Sequence, residues 1–238
     1  FKKAVKKLAL SFLFRREFIY GFPGGFGSHT NLFKYYGMRN DKIVIFPMVI
    51  DNSKFQKKEH NSIFTFLFVG RFIELKNINL ILQSFLKLPQ ENMQLNLVGE
   101  GELFDELSTR YNKPNIFFLG KQYGDDLVNA YKSADCLIIA SKSDQWGLVV
   151  NEAMASGLPV ISSEFVGANY DLIENKNTGL IFNPEKEGDL TKKMLEMYQD
   201  KVQYEKFSKN AYNLMHSYWN YDLYKKQLSS VVEKMKNA

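Results

Sequence analysis

The amino-acid sequence predicts an α/β fold built on a doubly wound parallel sheet. From Ser62 onward, short β-rich runs alternate with helical segments six times, the order that strands joined by crossover helices produce. The first run, Phe64-Thr65-Phe66-Leu67-Phe68-Val69, is apolar almost throughout, as burial on both faces of a sheet requires.

Taken in order, residues 1–51 hold a basic amphipathic helix, a glycine-rich turn (Gly21, Gly24, Gly25, Gly27), a short helix around 32–36 and a strand over 43–46. These elements cannot build a core by themselves. They are expected to be the remnant of another, N-terminal domain with its hinge, and the start at Phe1 in place of Met fits a missing upstream part. Residues 52–200 are expected to form the sheet domain. Its strand 64–69 ends at Gly70, and a helix over 78–88 stops near Pro89. Next come strand 94–98 with helix 102–111, strand 116–119 with helix 125–133, and strand 136–140 with helix 147–156. Strand 159–162, a short helix near Tyr170 and strand 179–182 complete the series. Beyond Pro184 the chain is polar and helical, with Leu190, Met194, Met197 and Tyr198 at helical spacing. Residues 201–238 are expected to add C-terminal helices, the last one following Tyr218-Trp219-Asn220-Tyr221 and ending near Met235.

At 238 residues, 45% hydrophobic and 24% charged, the chain can bury a sizeable core and is not a disordered tail. The net charge of +5 raises the question of a nucleic-acid partner. However, Lys2, Lys3, Lys6, Lys7, Arg15 and Arg16 account for the excess within residues 1–16, and the remainder is nearly neutral, so no nucleic acid is expected. The lone Cys136, in an apolar run, excludes an intrachain disulfide and fits a cytoplasmic protein. His29, His60 and His216 lie far apart, none at ligand spacing to a cysteine or carboxylate, so neither a metal nor another cofactor is expected. No apolar stretch approaches the roughly 20 residues needed to cross a bilayer. Val5, Leu8, Phe12 and Leu13 form a stripe on the basic helix, suited to packing against another domain or to peripheral contact with an anionic membrane.

Three segments carry chemistry. Gly70-Arg71, with Lys76 five residues later, puts a planar cationic fork and a point charge at the carboxyl edge of the sheet, where such folds bind ligands. A diphosphate suits the two cations, although a solvated surface pair fits equally. Val98-Gly99-Glu100-Gly101 again follows a strand, but Phe104 stands where a dinucleotide fingerprint needs its third glycine. Asp144 to Val160 is the most informative. There Gly147 opens a helix, leaving the amides of Gly147, Leu148 and Val149 to face an anion. Asp144 and Glu152 flank the same place, and a carboxylate can accept bonds from two neighbouring sugar hydroxyls. Each also fits an ordinary helix acid.

In order and spacing, these segments resemble the C-terminal, donor-binding half of GT-B glycosyltransferases of family 4. The G-R-x-x-x-x-K motif is Gly70-Arg71 to Lys76, V-G-x-G is Val98 to Gly101, and Y-x-x-A-D is Tyr131 to Asp135. The E-x7-E segment with its E-A-M-A-x-G-x-P-V continuation is Asp144 to Val160, and T-G-L is Thr178 to Leu180. The resemblance covers about residues 40–200 and implies a Rossmann-like domain that binds a nucleotide-diphosphate sugar. It implies that Arg71 and Lys76 hold the diphosphate, Glu152 the ribose and Asp144 the transferred sugar, with base contacts from the backbone near 120–122. Transfer would proceed with retention and without a metal, to a carbohydrate or lipid-linked acceptor, as in polysaccharide biosynthesis. The pair Asp125-Asp126 then reads as a helix start and not a metal motif. The chain alone is expected to be inactive in transfer. A nucleotide-sugar epimerase of the same architecture and a non-catalytic partner subunit are the alternatives. Three positions depart from the family pattern: Asp144 replaces a glutamate, Asn77 replaces a glycine, and Pro47-Met48-Val49-Ile50-Asp51 stands where P-N-G-x-D is common.

Overall fold

The computed structural model describes residues 2–16, 19–56, 62–89 and 91–236. His60 lies outside the described residues. The chain begins with helices α1 (Lys2–Phe14) and α2 (Ser28–Tyr35). The alternating part runs β1 (Phe64–Val69), α3 (Ile78–Leu86), β2 (Met93–Val98), α4 (Phe104–Arg110), β3 (Ile116–Gly120) and α5 (Gly124–Lys132). It continues through β4 (Cys136–Ile139), α6 (Leu148–Ala155), β5 (Val160–Ser163), a π-helical turn (Asn169–Ile173) and β6 (Gly179–Phe182). Helices α7 (Asp189–Gln199), α8 (Lys201–Ser217) and α9 (Tyr221–Lys236) follow.

The residues divide into two compact units, Ile50–Ser217 and a second made of Phe1–Val49 with Tyr218–Ala238. In the larger unit the six strands form one parallel sheet in the order β3-β2-β1-β4-β5-β6. This is the doubly wound α/β arrangement expected. The chain leaves β1 toward one edge through β2 and β3, then returns to lay β4 on the other side of β1, with Phe66 opposite Cys136. That reversal opens a crevice at the carboxyl ends of β1 and β4, the place where such sheets bind ligands.

Burial follows from the sequence periodicity. Helix α3 turns Ile78, Ile81, Leu82 and Phe85 to the sheet, and α7 turns in Leu190, Met194 and Met197. Phe72, Phe104 and Phe118 pack tilted or edge-on at 5.0–6.1 Å between ring centroids. The buried Asp135 accepts the Thr65 amide at 2.8 Å and donates its own amide to the Thr65 carbonyl at 2.8 Å, joining the start of β4 to that of β1.

In the smaller unit, Trp219 is buried, donates its indole N–H to the Met48 carbonyl at 2.8 Å, and meets the Phe26 ring edge at 6.2 Å. The strand expected over 43–46 is not formed. Gly21 bridges Ile43 in parallel, with Gly21 donating to Lys42, Val44 to Gly21 and Phe46 to Pro23. The next ladder bond would need an N–H on residue 23, and Pro23 has none. Among the described residues, Val5, Leu8, Phe12 and Leu13 of α1 stay 45–76% exposed.

Candidate functional site

The loop leaving β1 is shaped by contacts that only small residues allow. Gly99, at the end of the neighbouring β2, has φ +137, and a Cβ there would stand 1.8 Å from the Gly70 carbonyl oxygen. The two strand ends touch backbone to backbone as a result. Past Gly70 and the exposed Arg71, a single 3-10 turn, Glu74–Lys76, closes on Asn77, which adopts φ 53 and ψ 40. Asparagine tolerates this left-handed conformation, so it serves where a glycine is common.

The loop leaving β4 is held against that turn. Lys142 donates its amide to the Leu75 carbonyl at 2.8 Å, and its exposed ammonium lies 3.1 Å from Glu74 Oε2. Asp144 donates its amide to the Phe165 carbonyl at 3.0 Å and accepts the Gly167 amide at 2.9 Å. A Cβ on Gly167 would meet the Gln145 carbonyl oxygen at 1.9 Å. With its backbone fixed, Asp144 presents Oδ2 to Lys76 Nζ at 2.6 Å, and its Oδ1 accepts the Trp146 amide at 3.3 Å. Both side chains of this ion pair are at most one-fifth exposed.

Gly147 (φ 88, ψ 68) starts α6, and a Cβ there would crowd Ile139 and Val166 at 3.1 Å. Among the described residues, the amides of Gly147, Leu148 and Val149 have no acceptor, so the positive helix end is open to an anion. The buried Trp146 secures this turn through its indole N–H, 2.9 Å from Asn151 Oδ1. One turn on, Glu152 Oε2 accepts the Tyr131 hydroxyl of α5 at 2.5 Å. Burial raises the Glu152 carboxyl above the ordinary glutamate range, and the Tyr131 hydrogen bond partly opposes that rise. Tyr131 is fully buried, and burial followed by the Glu152 charge pushes its hydroxyl well above the ordinary tyrosine value.

The residues read from the sequence thus gather at the switch point. Lys76 and Asp144 touch, Gly70 and Gly99 abut, and Gly147, Leu148 and Val149 open the helix that carries Glu152 one turn on. Arg71 is exposed and has no ion pair among the described residues. Asp125 and Asp126 lie in the first turn of α5. Among the described residues, no three His, Cys, Asp or Glu side chains cluster as a metal site. A cavity of about 590 Å³ lies at the opposite sheet edge, lined by Phe64, Asn92, Asp135, Tyr198 and Tyr204, away from this site. The sequence reading missed three supports: the Tyr131 hydroxyl, the Trp146–Asn151 bond and Gly167. Tyr131 lay within a motif already noted, but nothing in one sequence ties it to Glu152.

The family model for glycosyl transferases group 1 matches residues 49–214. The sulfoquinovosyl transferase SQD2 of Arabidopsis thaliana is 33% identical over 146 residues, which cover 60% of this chain and 28% of that protein. An uncharacterized glycosyltransferase of Methanocaldococcus jannaschii is 24% identical over 69% of this chain and 52% of its own length. The chain therefore spans about half or less of these curated relatives. Sucrose-phosphate synthase of Thermosynechococcus elongatus superposes with a TM-score of 0.78 at 19% identity, covering 98% of this chain and 62% of that one. HepE of Anabaena, solved with UDP, gives a TM-score of 0.81 at 16% identity over 98% and 68%. These two structures share the fold.

Proposed function

The chain belongs to the glycosyl transferases group 1 family, and on that premise we propose that it forms the donor-binding part of a retaining glycosyltransferase. The substrate is a nucleotide-diphosphate sugar, and the product carries that sugar on an acceptor hydroxyl. The observation behind this reading is the Lys76–Asp144 contact at 2.6 Å beside the open amino end of α6. It puts cation, carboxylate and free amides at one sheet crevice. HepE of Anabaena was solved with UDP and, in a second structure, with UDP and glucose, which supports a nucleotide-sugar donor here.

Charge develops on the departing nucleotide as the glycosidic bond to the donor phosphate breaks. Arg71, Lys76 and the amides of Gly147, Leu148 and Val149 stabilise that charge, without calling on a metal. An ammonium has three N–H donors, so Lys76 can keep Asp144 while it contacts a phosphate oxygen. Gly70 and Gly99, packed backbone to backbone, set the β1 and β2 ends at the diphosphate site, Glu152 accepts ribose hydroxyls, and Asp144 meets the transferred sugar. The acceptor is a carbohydrate or a lipid-linked one met at the cytoplasmic membrane face, where α1 offers its exposed apolar residues and bases. Its synthesis of a glycan or polysaccharide follows from that acceptor class.

Calorimetry with UDP, GDP and ADP on this chain tests the reading. One nucleotide should bind, and Arg71→Ala should weaken it at least tenfold, the value of a lost charge-assisted contact of about 1.5 kcal/mol or more. Binding by none of the three, or binding indifferent to Arg71, overturns it. By itself the chain is expected to bind donor and transfer nothing.

A further inference from the structure

We infer that Tyr131 is a positioning residue for nucleotide recognition: its buried hydroxyl fixes the Glu152 carboxylate and aims it for ribose. The inference rests on the assignment of Glu152 to the ribose. The geometry behind it involves two helices. Glu152 stands on α6, one turn past the amides of Gly147 to Val149, and Tyr131 stands near the end of α5. Their side chains meet at 2.5 Å, so one carboxylate oxygen is committed to a donor from inside the protein.

Tyr131 is locked in place. It has no exposed surface, and its ring meets the Phe55 ring edge-on at 5.9 Å. A hydroxyl so enclosed has little freedom to turn elsewhere, so it fixes the carboxylate rotamer as well as donating to it. Glu152 needs that help. Burial favours its neutral form, and a neutral carboxylic acid offers neighbouring hydroxyls fewer acceptor sites than a carboxylate does. The donated hydrogen bond works in the opposite direction and favours the ionised form.

Other groups near Glu152 do not take this part. His216 of α8 places Nε2 2.9 Å from the Ala155 carbonyl, and Ser156 Oγ donates to the Glu152 carbonyl at 3.1 Å, not to its carboxylate. Lys76, on the β1 loop, is paired with Asp144. Tyr131 is the titratable group that the described residues bring to the carboxylate itself.

The test uses the full chain and the nucleotide among UDP, GDP and ADP that binds, together with its 2′,3′-dideoxy form. Nucleotide affinity is followed from acid to neutral pH for wild type, Tyr131→Phe and Glu152→Gln. Glu152→Gln should weaken the ribonucleotide and leave the dideoxy form little changed; failure here sinks the ribose assignment itself. Given that result, Tyr131→Phe should weaken the ribonucleotide by roughly tenfold and move the acid limb of its binding curve to higher pH. A loss equal for both nucleotides, or an unmoved acid limb, overturns the role of Tyr131 while sparing that of Glu152. Should Tyr131→Phe not fold, carbon-13 labelling of the tyrosine Cζ answers in the wild-type background. The Tyr131 signal should shift as Glu152 titrates and stay flat in Glu152→Gln; no shift in wild type refutes the proposal.

Discussion

Lys76 and Asp144 are separated by 68 residues in the chain, yet their charged atoms stand 2.6 Å apart where the sheet reverses direction. Each side chain hangs from a loop pinned by backbone bonds, Lys142 to Leu75 on one side and Asp144 to Phe165 and Gly167 on the other. Because both groups are largely shielded from water, deleting one partner leaves the other charge partly desolvated and unpaired.

Substitutions at the two ends of this pair should therefore diverge in binding. Lys76→Ala removes a cation from the proposed diphosphate site and should weaken nucleoside diphosphate by about 10- to 100-fold, equivalent to about 1.5–3 kcal/mol. Asp144→Asn keeps that cation and should hold nucleoside diphosphate within about threefold, while the extra affinity of the nucleotide sugar disappears. Calorimetry with both ligands checks this. Equal losses in the two variants would contradict separate roles.

Glycines at the strand ends should differ sharply in tolerance. Gly99→Ala drives a Cβ to 1.8 Å from the Gly70 carbonyl oxygen at φ +137, so the β1 and β2 ends must separate, costing about 3 kcal/mol or more. Gly120 also has positive φ, +67, but a Cβ there meets nothing within 4 Å. Gly120→Ala should cost only the left-handed penalty of about 1–2 kcal/mol. Urea denaturation of both variants decides the matter, and similar midpoints would argue against backbone contact as the reason for Gly99.

Local signals account for what could be read in advance. Strands β1 and β6 were legible to the residue because glycine or a change of polarity bounds each apolar run, and α6 to within one residue at each end because Gly147 opens it and Gly157 follows it. Helix α4 begins two residues later than its polar pattern suggests, after a turn over 102–103. The segment 43–46 has the composition of a strand but lacks a partner able to complete the ladder, and Pro23 lies 20 residues away in sequence. Lys76, Asp144 and Glu152 were readable from spacing within motifs. The Tyr131–Glu152 bond was not, because it depends on how two helices pack, which no local pattern encodes.

Stability should vary with pH through Glu152. Burial raises its carboxyl in the folded protein, so between the unfolded and folded values the native state binds more protons than the unfolded chain. This contribution is therefore greatest at low pH and declines as pH rises through that window. Glu152→Gln removes the decline, and Tyr131→Phe deepens it by taking away the bond that favours ionisation. Chemical denaturation at several values from about pH 4 to 8 measures the slope. A Glu152→Gln slope parallel to wild type would refute the assignment.

Asn77 links backbone conformation to the proposed site, and its substitutions should report on both. It ends the turn that carries Lys76 and begins α3, with φ 53 and ψ 40. Asn77→Gly relieves any left-handed penalty and adds backbone freedom to the unfolded chain, two effects that nearly cancel, so stability should change by less than about 1 kcal/mol. Asn77→Val cannot hold that conformation cheaply, because a β-branched side chain clashes there, and should cost about 1–2 kcal/mol. If the chain relaxes to avoid the clash, the turn before it must rotate and draw Lys76 away from Asp144. Asn77→Val should then lose nucleotide affinity as well as stability, whereas Asn77→Gly keeps both. Paired denaturation and calorimetry separate the outcomes: a Val variant that is destabilised yet binds like wild type would show that the turn does not position Lys76.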